Sequence, residues 1–343
     1  MPKGGERVAV RISATKLLNY GRCPYSYFLR YEAKIEVPQA VYLVFGQAIH
    51  RLIASFYRLT PRQQANRLKR GLTILFPTNK QAAVKLWIRL WEDVLQEKNA
   101  KRFHNPCKIR FRGKTKAEIE KEKERYKELG ASMIAKYWED NHDAPPPIAV
   151  ERRFTVCAPG RYDVLLVGSI DQIREIPYGS GKWYIIDLKT GWQDYGEEDP
   201  RIQFPVHHDY QFTVYSWAFR RVFGKEEAGI IRYPLGWKGK NPITEEKIDK
   251  RLLTTPRNEH HYADLAVLIE AFLLSQNKQL FPKITGNHCW HCDYLEICSH
   301  PELITSKPIP VGQFDWGKVG IEIIRKQLKK AEALQEFSQP RLL

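Results

Sequence analysis

Three consecutive prolines, Pro145-Pro146-Pro147, divide this chain into two kinds of sequence. Proline lacks the N–H that a helix interior uses and pushes the residue before it towards extended backbone, so no helix runs through this point. Before the prolines, apolar residues recur at steps of three and four. Phe45, Ile49, Ile53 and Phe56 predict a helix over 42–59, Trp87, Leu90, Trp91 and Val94 a second, and Tyr126, Leu129, Ile134 and Tyr137 a third over 117–138. After the prolines, segments 148–157, 162–175 and 182–188 are rich in Val, Ile, Leu and aromatic residues, with turn residues between them, and read as strands. Residues 208–223 read as a helix and 228–235 as another strand. This β-β-β-α-β order predicts an α/β fold, a central mixed β-sheet flanked by helices. Further helices are expected over 13–35, with Ser13 as a cap, and over 262–280, and a charged helix or tail over 315–337.

The expected organisation is an N-terminal helical part over 1–60, a basic helical insertion over 61–144, a core over 145–305 and a C-terminal helical tail over 306–343. Charge is concentrated in the insertion. The chain carries 55 Lys and Arg against 39 Asp and Glu, a net of +16, and residues 61–130 hold 19 against 8, a net of +11. Such a surface attracts polyanions, nucleic acid foremost. The basic helices either clamp a nucleic-acid strand or carry solvated charge. No run approaches the roughly 18 apolar residues of a membrane helix, and residues 1–12 lack the apolar segment of a secretory signal. The expectation is a cytoplasmic protein with no membrane partner. Its six cysteines are then ligands or core residues rather than disulfides.

Two of the strand segments carry the chemistry. Gly168-Ser169-Ile170-Asp171 lies in one, and Asp187-Leu188-Lys189-Thr190-Gly191 ends the next. Side chains alternate along a strand, so Asp187 and Lys189 share a face, and the sheet can set Asp171 beside them. Two carboxylates facing one space repel unless a cation lies between them. Mg²⁺ or Mn²⁺ suits such an oxygen-rich site, with the Leu188 carbonyl as a further ligand. Lys189 would then act on the phosphate or its attacking water. An isolated Asp-x-Lys is far more often a surface ion pair, and the other residues of the set decide against that here. His50 follows in Gly46-Gln47-Ala48-Ile49-His50, and imidazole is a metal ligand as well as a common structural group. Gln211 and Tyr215, four residues apart on the 208–223 helix, face the same way.

In the order Gly-x-x-x-His, Gly-x-x-Asp, Asp-x-Lys-Thr-Gly, Gln-x-x-x-Tyr, the chain resembles the RecB-type branch of the PD-(D/E)XK nucleases. The resemblance covers about 1–60 and 145–305 and implies a restriction-endonuclease-like core. It implies that His50, Asp171 and Asp187 bind the metal, that Lys189 is catalytic, and that Gln211 and Tyr215 are auxiliary. Cys289, Cys292 and Cys298 form Cys-x2-Cys-x5-Cys, and Cys23 stands far upstream. This set is similar to the iron–sulfur subgroup that includes AddB and the CRISPR-associated single-domain nucleases, in which a 4Fe-4S cluster joins the two ends of the domain. Four thiolates are the ordinary ligands of such a cluster, and zinc is the alternative occupant. Cys107 and Cys157 have no evident partners.

Gly113-Lys114-Thr115 ends like a phosphate-binding loop, but Lys108 stands where that motif requires glycine, so no ATPase engine is expected. The expected activity is hydrolysis of DNA phosphodiester bonds, as a single-stranded exonuclease or a flap-type endonuclease, the preference for single strands from an end being implied by the resemblance, in repair, recombination or phage DNA processing, alone or with other DNA-processing proteins. A trimming nuclease of CRISPR spacer acquisition and an inactive DNA-binding subunit are the alternatives.

Overall fold

A computed structural model of the chain describes residues 10–35, 37–57, 76–96, 109–191, 209–235, 248 and 252–299. The expected tail helix, Cys107, and the insertion segments 61–75 and 97–108 lie outside these residues.

Strand β1 (Val10–Ser13) runs straight into α1 (Ala14–Arg22), where Ser13 Oγ accepts the Lys16 N–H at 3.2 Å. The single helix expected over 13–35 is broken. Cys23 is extended, with φ −161°, and Pro24, which has no N–H to satisfy, restarts the helix as α2 (Pro24–Tyr27), followed by a π-helical turn over Phe28–Glu32. Strand β2 (Gln39–Ala40) leads into α3 (Val41–Tyr57). Then come α4 (Lys80–Leu95), β3 (Ile109–Arg110) beside β2, and α5 (Lys116–Asn141), which begins with a capping box of Thr115 and Glu118 and ends just before the prolines. Strands β4 (Ala149–Ala158), β5 (Arg161–Glu175) and β6 (Trp183–Lys189) precede α6 (Tyr210–Phe223). Strands β7 (Gly229–Pro234) and β8 (Leu253–Thr254), and helices α7 (Glu259–Lys278) and α8 (Leu295–Ser299), complete the order.

Strand β5 organises the sheet. Along one edge it pairs antiparallel with β4, from Arg161 to Ile173. The other edge is divided between two strands. β1 lies parallel to Val164–Val167, and β6 lies antiparallel to Gln172–Glu175. Between these two ladders, residues 168–171 of β5 pair with neither strand. β7 continues the sheet parallel to β6, and β8 closes it antiparallel. The expected mixed sheet is therefore present. β1 and β8 escaped the sequence reading because four and two residues carry no measurable alternation.

Both faces are covered. Ile185 and Ile230 turn to one core, shared with Leu17 of α1, Phe219 of α6 and Leu265 of α7. Ile186, Leu188 and Ile231 turn to the other, shared with Phe45 of α3, Trp87 and Trp91 of α4, and Tyr137 of α5. The apolar stripes of α4 and α5 thus pack with α3 over one face of the sheet. A Cβ on Gly130 would stand 2.1 Å from the Trp87 ring, so glycine is what lets α4 and α5 approach this closely. Trp87 Nε1 donates to the Lys127 carbonyl at 2.8 Å across the same contact.

Much of the described charge on these helices is paired internally. Lys123 meets Glu120 at 2.7 Å, Lys80 meets Glu139 at 2.7 Å, and Lys127 meets both Glu92 and Glu124 at 3.6 Å. The turn that imitates a phosphate loop is filled from within. The N–H groups of Arg112 and Gly113 donate to Glu122 Oε2 at 2.7 and 3.2 Å, and those of Lys114 and Thr115 to Glu118 Oε2 at 2.8 and 2.9 Å.

Candidate active site

The site forms where β6 leaves β5. Their ladder ends at Gln172 and Ile186, and the next contact is made by a side chain, as Asp171 Oδ2 accepts the Leu188 N–H at 2.9 Å. The same oxygen lies 3.4 Å from His50 Nδ1. Helix α3 brings His50 there because it crosses close to the end of β6. A Cβ on Gly46 would stand 2.9 Å from Thr190 Oγ1, so a larger residue would require the Thr190 side chain or the helix to shift.

A third group, missed in the sequence, joins them. Val150 pairs with Gln172 and Arg152 with Ile170, which sets Glu151 of β4 opposite Asp171. Glu151 has φ +46°, a left-handed conformation that costs a non-glycine residue about 1–3 kcal/mol. Ser169 Oγ donates to its carboxylate at 2.9 Å. His50, Glu151 and Asp171 offer ligand atoms that all lie within 4.8 Å of one another. Nothing in Glu151-Arg152-Arg153 marks the glutamate as special; only the register of β4 against β5 reveals it.

Asp187 and Lys189 share a face of β6, as alternation requires. Asp187 is 1% exposed and faces Lys189, whose Nζ lies 2.8 Å from Oδ2 but aligns its hydrogen bond on Oδ1 at 3.1 Å. Oδ2 is buried and receives no aligned donor from the described residues. Helix α6, capped by Asp209, carries Gln211 into the same space. Gln211 Nε2 donates to Asp187 Oδ1 at 3.3 Å and to the Tyr215 hydroxyl at 2.7 Å, while its Oε1 accepts from Lys189 at 3.3 Å. All six expected side chains therefore converge. Leu188 enters through its N–H.

The electrostatics separate the two aspartates. Burial raises the Asp187 carboxyl to about 6, with Asp171 adding to the rise and Lys189 opposing it. Burial also works against ionisation of Asp171, but His50 and the Leu188 N–H overcome it and hold that carboxyl below its ordinary range. His50 is correspondingly raised, since Asp171 outweighs the burial that would discharge it. Lys189 is raised by Asp187 against burial, and burial lifts the Tyr215 phenol well above 10. The site thus sets a carboxylate kept acidic by its partners beside one made less acidic by burial, with an amine whose cationic form the second favours.

Near the N-terminal end of α3, where Tyr42 and Leu43 line the same space, Cys23, Cys289, Cys292 and Cys298 border one cavity of about 270 Å³. None of the four is in a disulfide. The two ends of the described chain are also joined without them. Tyr25 N–H donates to the Pro282 carbonyl at 3.2 Å, and the Tyr294 hydroxyl to that of Ile35 at 3.0 Å. Asp293 meets Arg30 at 2.5 Å and Arg110 at 2.6 Å. Cys157 stands apart, its Sγ directed at the Tyr162 carbonyl.

The family described as the PD-(D/E)XK nuclease superfamily matches the chain over residues 11–299. No curated protein matches it. No helix among the described residues is long and apolar enough to cross a membrane.

Proposed function

The chain belongs to the PD-(D/E)XK nuclease superfamily, and on that premise we propose that it is a metal-dependent deoxyribonuclease whose active site is the gap between β5 and β6. The observation that carries this reading is the meeting of His50, Glu151 and Asp171 beside the Asp187–Lys189 pair, where β5 passes from pairing with β1 to pairing with β6. The donor set fits a hard divalent cation, Mg²⁺ or Mn²⁺. It offers carboxylate oxygens and one imidazole, and Asp187 Oδ2 is buried without an aligned donor. His50, Glu151, Asp171, Asp187 and the Leu188 carbonyl are the residues that would hold it. Such a cation, when bound, polarises the phosphate and acidifies water.

The chain's own groups do the rest. The Leu188 N–H and His50 keep Asp171 ionised and fix its direction. Lys189 presents an ammonium where charge grows on the phosphoryl oxygens, a kind of stabilisation worth about 10²–10³ in rate. Gln211 bridges Lys189 and Asp187 through its two amide atoms, and Tyr215 accepts from Gln211 and keeps its own proton to donate.

The motif order further supports the finer reading of a single-stranded DNA exonuclease acting in repair, recombination or phage DNA processing. The shared cavity of Cys23, Cys289, Cys292 and Cys298 supports a 4Fe-4S cluster as a staple between the chain ends. Burial and the three neighbouring cysteines together raise the Cys298 thiol, as expected of sulfurs crowded around one space. The test is cleavage of end-labelled single- and double-stranded DNA with Mg²⁺ or Mn²⁺. Mononucleotides or short products from single strands alone would support the exonuclease. Internal cuts in duplex DNA would overturn the finer reading and leave the nuclease standing.

A further inference from the structure

Lys189 is heavily committed within the protein. Its ammonium donates to Asp187 Oδ1 and to Gln211 Oε1, and its charge is paired with the Asp187 carboxylate. A phosphodiester carries one negative charge and gains more as a nucleophile adds to phosphorus, so a phosphate in this gap calls for a further cation.

Strand β7 places one there. It runs parallel to β6 with Arg232 in register with Asp187, and neighbouring strands lie about 4.8 Å apart. Ile231 and Tyr233, on either side of Arg232, both turn into the core beneath α3, α4 and α5. By alternation, Arg232 turns to the opposite face, the one that carries Asp187 and Lys189. Arg232 is partly exposed, unlike the buried residues that flank it. A guanidinium is planar, permanently charged and matched to two phosphate oxygens at once.

We propose that Arg232 binds the phosphate backbone of the substrate strand at the active site, as a second cation beside Lys189. The inference rests on the reading of this gap as a phosphodiesterase site. It assigns to β7 a part in substrate binding that the sequence motifs do not cover.

Binding and cleavage separate the two readings. Affinity for a labelled single-stranded oligonucleotide is measured without divalent metal, as a function of salt, for wild type, Arg232→Gln and Arg232→Lys. Loss of one phosphate contact lowers the slope of log affinity against log salt by about 0.7. Arg232→Gln is expected to show that drop, a fall in kcat/KM of about 10²-fold, and unchanged Mn²⁺ affinity and melting temperature. Arg232→Lys is expected to restore the salt slope and only part of the rate. An unchanged slope with a wild-type rate would overturn the inference and leave the nuclease reading intact. Equal losses of Mn²⁺ affinity or melting temperature would show a structural role and overturn it too. Should Arg232→Gln not fold, a folded Arg232→Lys with a wild-type rate would contradict the two-oxygen contact. A wild-type protein that binds DNA but cleaves none would instead defeat the nuclease reading itself.

Discussion

Asp171 accepts the backbone N–H of Leu188 at 2.9 Å, across the gap where β5 and β6 stop pairing. One carboxylate therefore completes the sheet's hydrogen bonding and, in the proposed mechanism, holds the metal.

That double duty predicts a difference between two substitutions. Asp171→Asn keeps an oxygen for the Leu188 N–H but loses the charge that faces His50 and the cation. Asp171→Ala loses both and leaves a backbone donor unsatisfied, which costs about 1–3 kcal/mol. Both variants are expected to cleave DNA at least about 10²-fold more slowly. Only the alanine variant should also unfold at clearly lower denaturant. Equal stability of the two would show that the Leu188 contact contributes nothing.

The pH dependence has two opposing parts. Burial holds the folded Asp187 carboxyl at about 6, above its ordinary 3.8. Without metal, the stability this proton provides is fully present below 3.8 and is lost as pH rises through 6. Asp171 is lowered instead, by His50 and the Leu188 N–H against burial. Its contribution is present above the ordinary 3.8 and is lost as pH falls through the lower folded value. A divalent cation must displace the Asp187 proton, so Mn²⁺ affinity should rise between about pH 5 and 7 with proton release. Raised His50 extends that window upward. Calorimetry in two buffers of different ionisation heat reads the released protons, and an affinity flat over this range would refute the assignment of Asp187 as a ligand.

The cysteine cavity predicts colour. Protein purified without oxygen is expected to be brown and to contain iron and sulfide, and Cys298→Ala to be bleached, less stable and less active. Arg30 and Tyr294 still tie the chain ends together. The bleached variant should therefore keep its fold and melt at a lower temperature rather than fail to fold. A colourless protein with one equivalent of zinc would keep the staple and refute iron and sulfide.

Much of this site could be read in the sequence because its groups are set by local rules. The two-residue period of β6 puts Asp187 and Lys189 on one face, and the four-residue step of α6 aligns Gln211 with Tyr215. Glu151 was invisible because its position depends on which residue of β5 it opposes, a long-range register that no local pattern encodes. Arg232 was hidden for the same reason, since its neighbour Asp187 lies 45 positions back in the chain. The break at Cys23 was missed because apolar spacing continued on both sides of it, although Pro24 was there to mark it. The charge of the insertion looked available for nucleic acid, yet much of the described part is spent on neighbouring glutamates.

In the proposed mechanism Asp187 and Lys189 act on a metal-activated phosphodiester, and substitutions at both positions check this. Cleavage of end-labelled DNA is measured with Mg²⁺ or Mn²⁺ for wild type, Asp187→Ala and Lys189→Ala, alongside Mn²⁺ affinity. Wild type is predicted to cut only with metal present. Asp187→Ala is predicted to lose cleavage and metal affinity together, and Lys189→Ala to lose about 10²–10³ in rate while still binding Mn²⁺. Cleavage that survives exhaustive chelation, or a wild-type rate in either folded variant, would contradict the account.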